Sequence, residues 1–381
     1  MILLMVALDA IAMGVNYVVN PYGAWRIALI DPIFRKLTGD RAQMPYQLRT
    51  TAPETVLIGS SRVQVGMRIE QGYRDGVLNA SVGAASMADL ARIIDVALRN
   101  PRLKRIVWGV DFYAFNARIH HVNPTFEARV AFSPRSLIED SLLSLGALGD
   151  SFDLVKRAVR GRRRLPPTMT SDIPWPMELI CDQLAATQAH GLAMVPQTNI
   201  ENGLAQVHSW FYANYVFAPE VAVRFREIVD RARAHHVEVM LFVPPMSEYE
   251  LELIRQGGHW TDFERFKHAV AAVAPVWDFA AYNGISHTDN LFLDVLHMKP
   301  AAGNEILRIV LGLNASSACG EDARIIAKSA VRLDPSSIDA VLSQQERSRD
   351  QAASNSSRYS HIASAALRDP ASRKSASGQR D

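Results

Sequence analysis

The chain has little cysteine, almost no excess charge and only one long apolar run. Its two cysteines, Cys181 and Cys319, lie far apart in 381 residues. That excludes a disulfide framework and a cysteine metal cluster, and says nothing about redox compartment. Lys and Arg number 41 against 39 Asp and Glu, a net charge of +2. This balance gives no support to nucleic-acid binding, which draws on clustered positive charge facing phosphates. The signatures G-x-x-x-x-G-K-[ST], G-x-G-x-x-G after a strand and H-E-x-x-H are all missing. The adjacent pairs His120-His121 and His235-His236 point apart on any regular element and read as surface or structural residues. No internal repeat is present. What remains, 48% apolar and 21% charged residues, is the composition of a folded chain.

The apolar run covers residues 1–19. All but Asp9, Gly14 and Asn16 are apolar there. A helix of this length is roughly 28 Å long at about 1.5 Å per residue, close to the hydrocarbon thickness of a bilayer. The expectation is a single transmembrane anchor, against which Asp9 costs about 3 kcal/mol. A cleaved signal peptide fits less well, since no basic residues precede the run. The first basic residues, Arg26, Arg35 and Lys36, follow it. By the positive-inside rule they would hold the main domain in the cytoplasm.

Residues 20–53 read as a connector with a short helix. Strand-like runs then alternate with helical patterns, as in an α/β domain with a parallel sheet. The runs at 55–59, 76–80, 105–110, 237–243 and 276–279 are the strands, and 87–99, 222–235, 262–274 and 304–312 the helices. A segment at about 118–219 interrupts the rhythm and reads as a helical insertion placed to cap a site. It carries Lys156, Arg157, Arg160, Arg162, Arg163 and Arg164, and the aromatic residues Trp175, Trp210, Phe211, Tyr212 and Tyr215. Its basic face is either solvated or meets an anionic partner. The domain closes near residue 314. Residues 315–381 are rich in Ser, Ala, Arg, Asp and Gln and read as a mostly disordered tail, with some helix between 322 and 347.

One constellation can carry chemistry. The first strand ends in Gly59-Ser60-Ser61-Arg62. Open α/β sheets place ligands at the carboxyl ends of their strands. A serine there is a weak nucleophile until a base takes its proton. Asp294-Val295-Leu296-His297 supplies an imidazole and a carboxylate three positions apart, which share a face on a helical turn. The carboxylate would orient the ring while its other nitrogen accepts the serine proton. Arg62 either holds an anionic substrate group or pairs with a nearby acid.

On these residues the chain resembles the SGNH (GDSL-like) hydrolase superfamily. Within it, the chain is most similar to the membrane-anchored bacterial branch that acylates envelope polymers or exopolysaccharides. The resemblance runs from about residue 53 to 312, the insertion apart. Gly59-Ser60-Ser61 matches the first family block and implies Ser61 as nucleophile, with Ser60 in place of the usual aspartate. Asn79-Ala80-Ser81-Val82-Gly83-Ala84 resembles the second, implying that the Gly83 N–H joins that of Ser61 in an oxyanion hole. Gly109-Val110-Asp111-Phe112 falls on the third, normally G-x-N-D. Asp111 thus replaces an asparagine donor, and a carboxylate donates no hydrogen bond unless protonated. Asp294 and His297, followed by Met298-Lys299-Pro300 and Gly303, match the last block and imply the base and its orienting acid.

The resemblance implies a three-layer sandwich around a five-stranded parallel sheet in flavodoxin-like order 2-1-3-4-5. It implies a serine esterase or O-acyltransferase acting on an acyl, most simply acetyl, group of an envelope or secreted polysaccharide, with no cofactor and no metal. It implies a membrane-bound acyltransferase partner and a place on the periplasmic side of the bacterial inner membrane. Two other expectations stay open: a non-catalytic polysaccharide-binding or scaffold protein, favoured by Asp111, and a lipid esterase, favoured by the apolar N-terminus and the basic insertion.

Overall fold

The structure, a computed structural model, describes residues 2–25, 29–30, 40–67, 76–119, 126, 129–130, 134–161, 191–313, 320–354 and 358–368. Cys181, Cys319, His120, His121, Trp175, Arg162, Arg163, Arg164 and the last thirteen residues of the expected tail, 369–381, lie outside them.

The sheet forms where short β-branched and aliphatic runs can be covered on both faces, which is what parallel strands require. All four residues of β1 (Thr55–Ile58) and all three of β2 (Val77–Asn79) are buried. With β3 (Arg105–Gly109), β4 (Glu238–Val243), β5 (Val276–Asp278) and β6 (Val331–Leu333) they make a six-stranded sheet of order β2-β1-β3-β4-β5-β6. The first five strands run parallel and β6 runs antiparallel to β5. The fold is therefore α/β with one strand more than the sequence predicts, and that strand has the opposite sense.

Fourteen helices of the described residues flank the sheet. Those on the N-terminal side are α1 (Ile2–Val19), α2 (Asp40–Thr51), α3 (Ser61–Gly66) and α4 (Met87–Ala97). The insertion gives α5 (Pro134–Ser141), α6 (Leu145–Val159) and α7 (Gln197–Val207). Then come α8 (Pro219–Ala234), α9 (Glu248–Gln256), α10 (Trp260–Ala271) and α11 (Pro300–Val310). The chain ends in α12 (Glu321–Ser329), α13 (Ile338–Ser354) and α14 (Arg358–Arg368). Local signals set their starts. Ser86 and Asp89 form a reciprocal capping box at α4. Pro219 and Pro300 stand in the first turns of α8 and α11, where no intrahelical N–H is needed.

The N-terminal expectation needs correction. Among the described residues no helix is long and apolar enough to cross a membrane. The physical reason is visible in the polar residues of α1. Asn16 is fully buried, donates to the Leu142 carbonyl at 2.7 Å and accepts from the Ser151 hydroxyl at 2.9 Å. Tyr22, just beyond, donates to Asp150 at 3.0 Å. One flank of the helix is thus seated on α6 by hydrogen bonds.

Helix is present between 322 and 347 as expected, and order continues beyond it, against the expected disorder, through residues 348–354 and 358–368. Composition suggested disorder, but these segments complete the interior. Lys267 and Asp278 form a buried ion pair at 2.8 Å. Gln345 of α13 donates to Asp278 and accepts from Lys267, each at 2.8 Å. A buried pair needs its remaining donors and acceptors satisfied, and α13 supplies one of each. On α14, Ile362, Ala363 and Ala366 are buried, and Tyr359 meets Tyr249 edge-on at 4.6 Å.

Candidate active site

The polypeptide turns sharply where β1 gives way to α3. A Cβ on Gly59 would lie 2.5 Å from Val63 Cγ2 and 3.0 Å from the Gly109 carbonyl. Only glycine lets the first turn of α3 fold back so closely on the sheet. Ser60 is the N-cap, its hydroxyl accepting from the Arg62 N–H at 3.2 Å. Ser61 is the first helical residue, at the carboxyl end of a central strand.

His297 comes from the far end of the domain. Asp294 and His297 do not share a helical turn, as their spacing predicts, but a tight loop between β5 and α11. An antiparallel bridge between Phe292 and Met298 closes that loop. Asp294 Oδ1 accepts from the backbone N–H groups of Leu296 at 2.8 Å and His297 at 2.9 Å. These two bonds do the work of the expected helix. Both Asp294 carboxylate oxygens lie within 2.9 Å of His297 Nδ1, and His297 Nε2 lies 2.9 Å from Ser61 Oγ. A carboxylate only accepts, so Nδ1 carries the ring proton and Nε2 accepts from the Ser61 hydroxyl. Partial burial raises the Asp294 pKa, but His297 and the two backbone donors lower it further. The net result is a carboxyl held below its ordinary range.

Two small residues bring these distant segments together. A Cβ on Gly303 of α11 would collide with the backbone of Gly66 on α3. The helix that follows His297 therefore packs backbone to backbone on the helix that carries Ser61. Asn79, at the end of β2, steadies α3 from the other side by donating to the carbonyls of Val63 at 3.1 Å and Met67 at 2.8 Å.

The expected oxyanion residues divide. The loop after β2 lies against the exit of β1, where the Val82 N–H donates to the Gly59 carbonyl at 3.2 Å. Arg41 donates to the Gly83 carbonyl at 2.8 Å while paired with Asp89, which fixes the loop at Gly83. Asp111 follows β3 and is buried, with its carboxylate 3.0 Å from Arg62 Nε. Burial pushes the Asp111 pKa up to about 6, against the pull of Arg62 and of hydrogen bonds from Ser60. As a carboxylate it offers no oxyanion donor, and its partners are Arg62 and Ser60.

Glu250 and Arg41, beside the site, escape a reading of the sequence, and Tyr212 is legible there only as one aromatic of the insertion. Glu250 of α9 is wholly buried and accepts from Arg62 at 2.5 Å and from the Tyr212 hydroxyl at 2.7 Å. Tyr212 belongs to the insertion, and burial followed by the nearby Glu250 raises its pKa well above the ordinary value. Arg41 had no local signal at all. The insertion itself supports the His297 loop from the side. The Leu192 N–H donates to the Phe292 carbonyl at 2.9 Å, and Gly203 of α7 faces Val295. Phe211 stacks on Tyr113 at 4.3 Å, so it lies within the packed layer, while Trp210 is exposed.

The arrangement can pass a proton from Ser61 to His297 beside a fixed carboxylate, as acyl transfer demands. No protein-family model and no curated protein matches the chain.

Proposed function

We propose that the chain is a serine esterase or O-acyltransferase acting on an acyl, most simply acetyl, ester of an envelope or secreted polysaccharide. The observation that carries this reading is the continuous line Asp294 carboxylate, His297 ring and Ser61 hydroxyl, with 2.8 Å and 2.9 Å links. Ser61 Oγ attacks the acyl carbonyl and its proton passes to His297 Nε2. The tetrahedral intermediate collapses, its C–O bond breaks, and His297 returns the proton to the leaving oxygen. His297 then deprotonates water or a sugar hydroxyl, which attacks the acyl-Ser61 ester and frees the serine. Asp294 holds the ring and offsets its positive charge. The N–H groups of Ser61 and Gly83 are the candidate oxyanion donors.

Contact with the bacterial inner membrane, with the site on the periplasmic side and a membrane-bound acyltransferase as partner, belongs to the same reading. Exposed apolar residues on α1 and α6 support a surface contact. The test is fluorophosphonate labelling of the full chain, mapped by mass spectrometry. An adduct on Ser61 that is lost in Ser61→Ala and His297→Ala is the expected result. A folded wild type that takes no adduct overturns the reading.

A second reading is a polysaccharide-binding protein without turnover. The observation favouring it is Asp111, a buried acid where the resembled family carries a donor. Polymer binding that is unaffected by Ser61→Ala, together with no labelling, is its signature. A lipid esterase, which the apolar α1–α6 face favours, would turn over long-chain esters faster than acetyl esters.

A further inference from the structure

Arg62 follows the serine directly, yet it reaches no solvent-facing group. Its side chain is 5% exposed. All three guanidinium nitrogens are engaged. Nε pairs with Asp111 at 3.0 Å and one terminal nitrogen with Glu250 at 2.5 Å. The other terminal nitrogen donates to the carbonyls of Pro245 at 3.2 Å and Leu296 at 3.1 Å. These engagements exclude the substrate-anion role open to it from sequence. They also point elsewhere, because Leu296 immediately precedes His297.

The peptide joining Leu296 to His297 is held at both of its polar ends. Arg62 takes the carbonyl, and Asp294 takes the His297 N–H at 2.9 Å. One residue therefore ties the segment bearing Ser61 to the segment bearing His297, across 234 positions of sequence. Hydrogen bonds to Glu250, Pro245 and Leu296 fix the fork, Asp111 adds its charge beside Nε, and Tyr212 fixes Glu250. We propose that Arg62 is a positioning residue that sets His297 against Ser61, with Asp111 and Glu250 as its buried counter-ions. This rests on the reading of Ser61, Asp294 and His297 as the reacting groups. It also gives Asp111 a task in place of oxyanion binding. Lysine, a point charge without a fork, cannot hold both acids and both carbonyls in one plane.

The test uses Arg62→Lys in the full chain. A second variant, Arg62→Met with Asp111→Asn and Glu250→Gln, removes the buried charges together and serves where lysine alone unfolds. Circular dichroism and thermal melting establish folding. Two readouts follow: kcat and KM on a p-nitrophenyl acetate probe, and the NMR signal of the His297 Nδ1 proton. The expected result is kcat lower by about 10- to 100-fold with KM within twofold, since small misplacements of a base carry costs of that order. The His297 signal shifts or broadens. A folded variant with wild-type kcat and an unchanged His297 signal overturns the proposal. So does a loss confined to KM, which would mark a substrate contact. If the wild type itself turns over no ester, the esterase reading fails, and the His297 signal still decides the positioning claim.

Discussion

A base that is to accept the Ser61 proton must present the unprotonated nitrogen of its ring, and Asp294 decides which nitrogen that is. Replacing it with asparagine keeps the shape but lets the amide face Nδ1 with either end. Asp294→Asn should lower kcat by about 10²- to 10⁴-fold with little change in KM, measured on a small ester. Asp111 makes a prediction of the opposite kind, about stability. In the folded chain it titrates at about 6, against 3.8 ordinarily. The folded state therefore holds the proton more tightly than the unfolded one across that window. Its contribution is complete below pH ~3.8 and is lost as pH rises through about 6. Asp111→Asn cannot titrate, so between pH 4 and 7 the wild type should lose roughly 2–3 kcal/mol relative to the variant, by denaturant unfolding. Parallel curves would show that Arg62 already neutralises Asp111 in full. Sequence alone made Gly59-Ser60-Ser61 and the Asp294–His297 spacing legible, because these signals are local. The Arg62–Glu250 pair spans 188 positions, and Glu250 sits in Glu248-Tyr249-Glu250-Leu251-Glu252, which alternates like a solvated surface. Nothing local marks it as buried.

At the scale of elements, the site depends on two helices touching through their backbones. Gly303→Val places a branched side chain against Gly66, and α11 must move off α3. Overpacking of this kind costs about 1–3 kcal/mol. The same shift pulls the His297 loop from Ser61, so the labelling rate should fall more than thermal stability does. A variant that loses stability but labels at the wild-type rate would show that the loop is held independently of α11. The central strands and helices follow from apolar periodicity, since burial on both faces leaves a clear pattern in residues 55–58 and 105–109. The helix α1 was equally plain as a helix. Its surroundings were not, because an apolar run reads alike whether it faces lipid or one flank of α6. The partners of Asn16 show which flank meets α6.

At the scale of the molecule, α1 and α6 both expose large apolar side chains. Leu145, Phe152 and Val159, spaced seven apart along α6, are 81%, 62% and 82% exposed, and Leu8 and Ile11 of α1 are 57% and 63% exposed. Lys156 and Arg160 are exposed beside them. Their spacing puts the three α6 residues on one face of the helix, and a large exposed apolar face marks an interaction site. If the proposed membrane contact holds, Phe152→Glu with Val159→Glu should weaken co-sedimentation with phosphatidylglycerol-containing vesicles by about tenfold or more, given the area such side chains bury. Unchanged sedimentation would remove α6 from that contact.

The sixth strand has a consequence of its own. Along its far side β5 would present unpaired backbone N–H and C=O groups, and β6 satisfies them through the pairs Val276↔Leu333, Trp277↔Arg332 and Asp278↔Val331. A fragment ended near residue 314 would look complete by its parallel strands, yet would leave that margin bare for another chain to join. Open margins of this sort template aggregation. The C-terminal region thus closes the β5 margin and moves the edge of the sheet to a strand of only three residues, a short template for another chain.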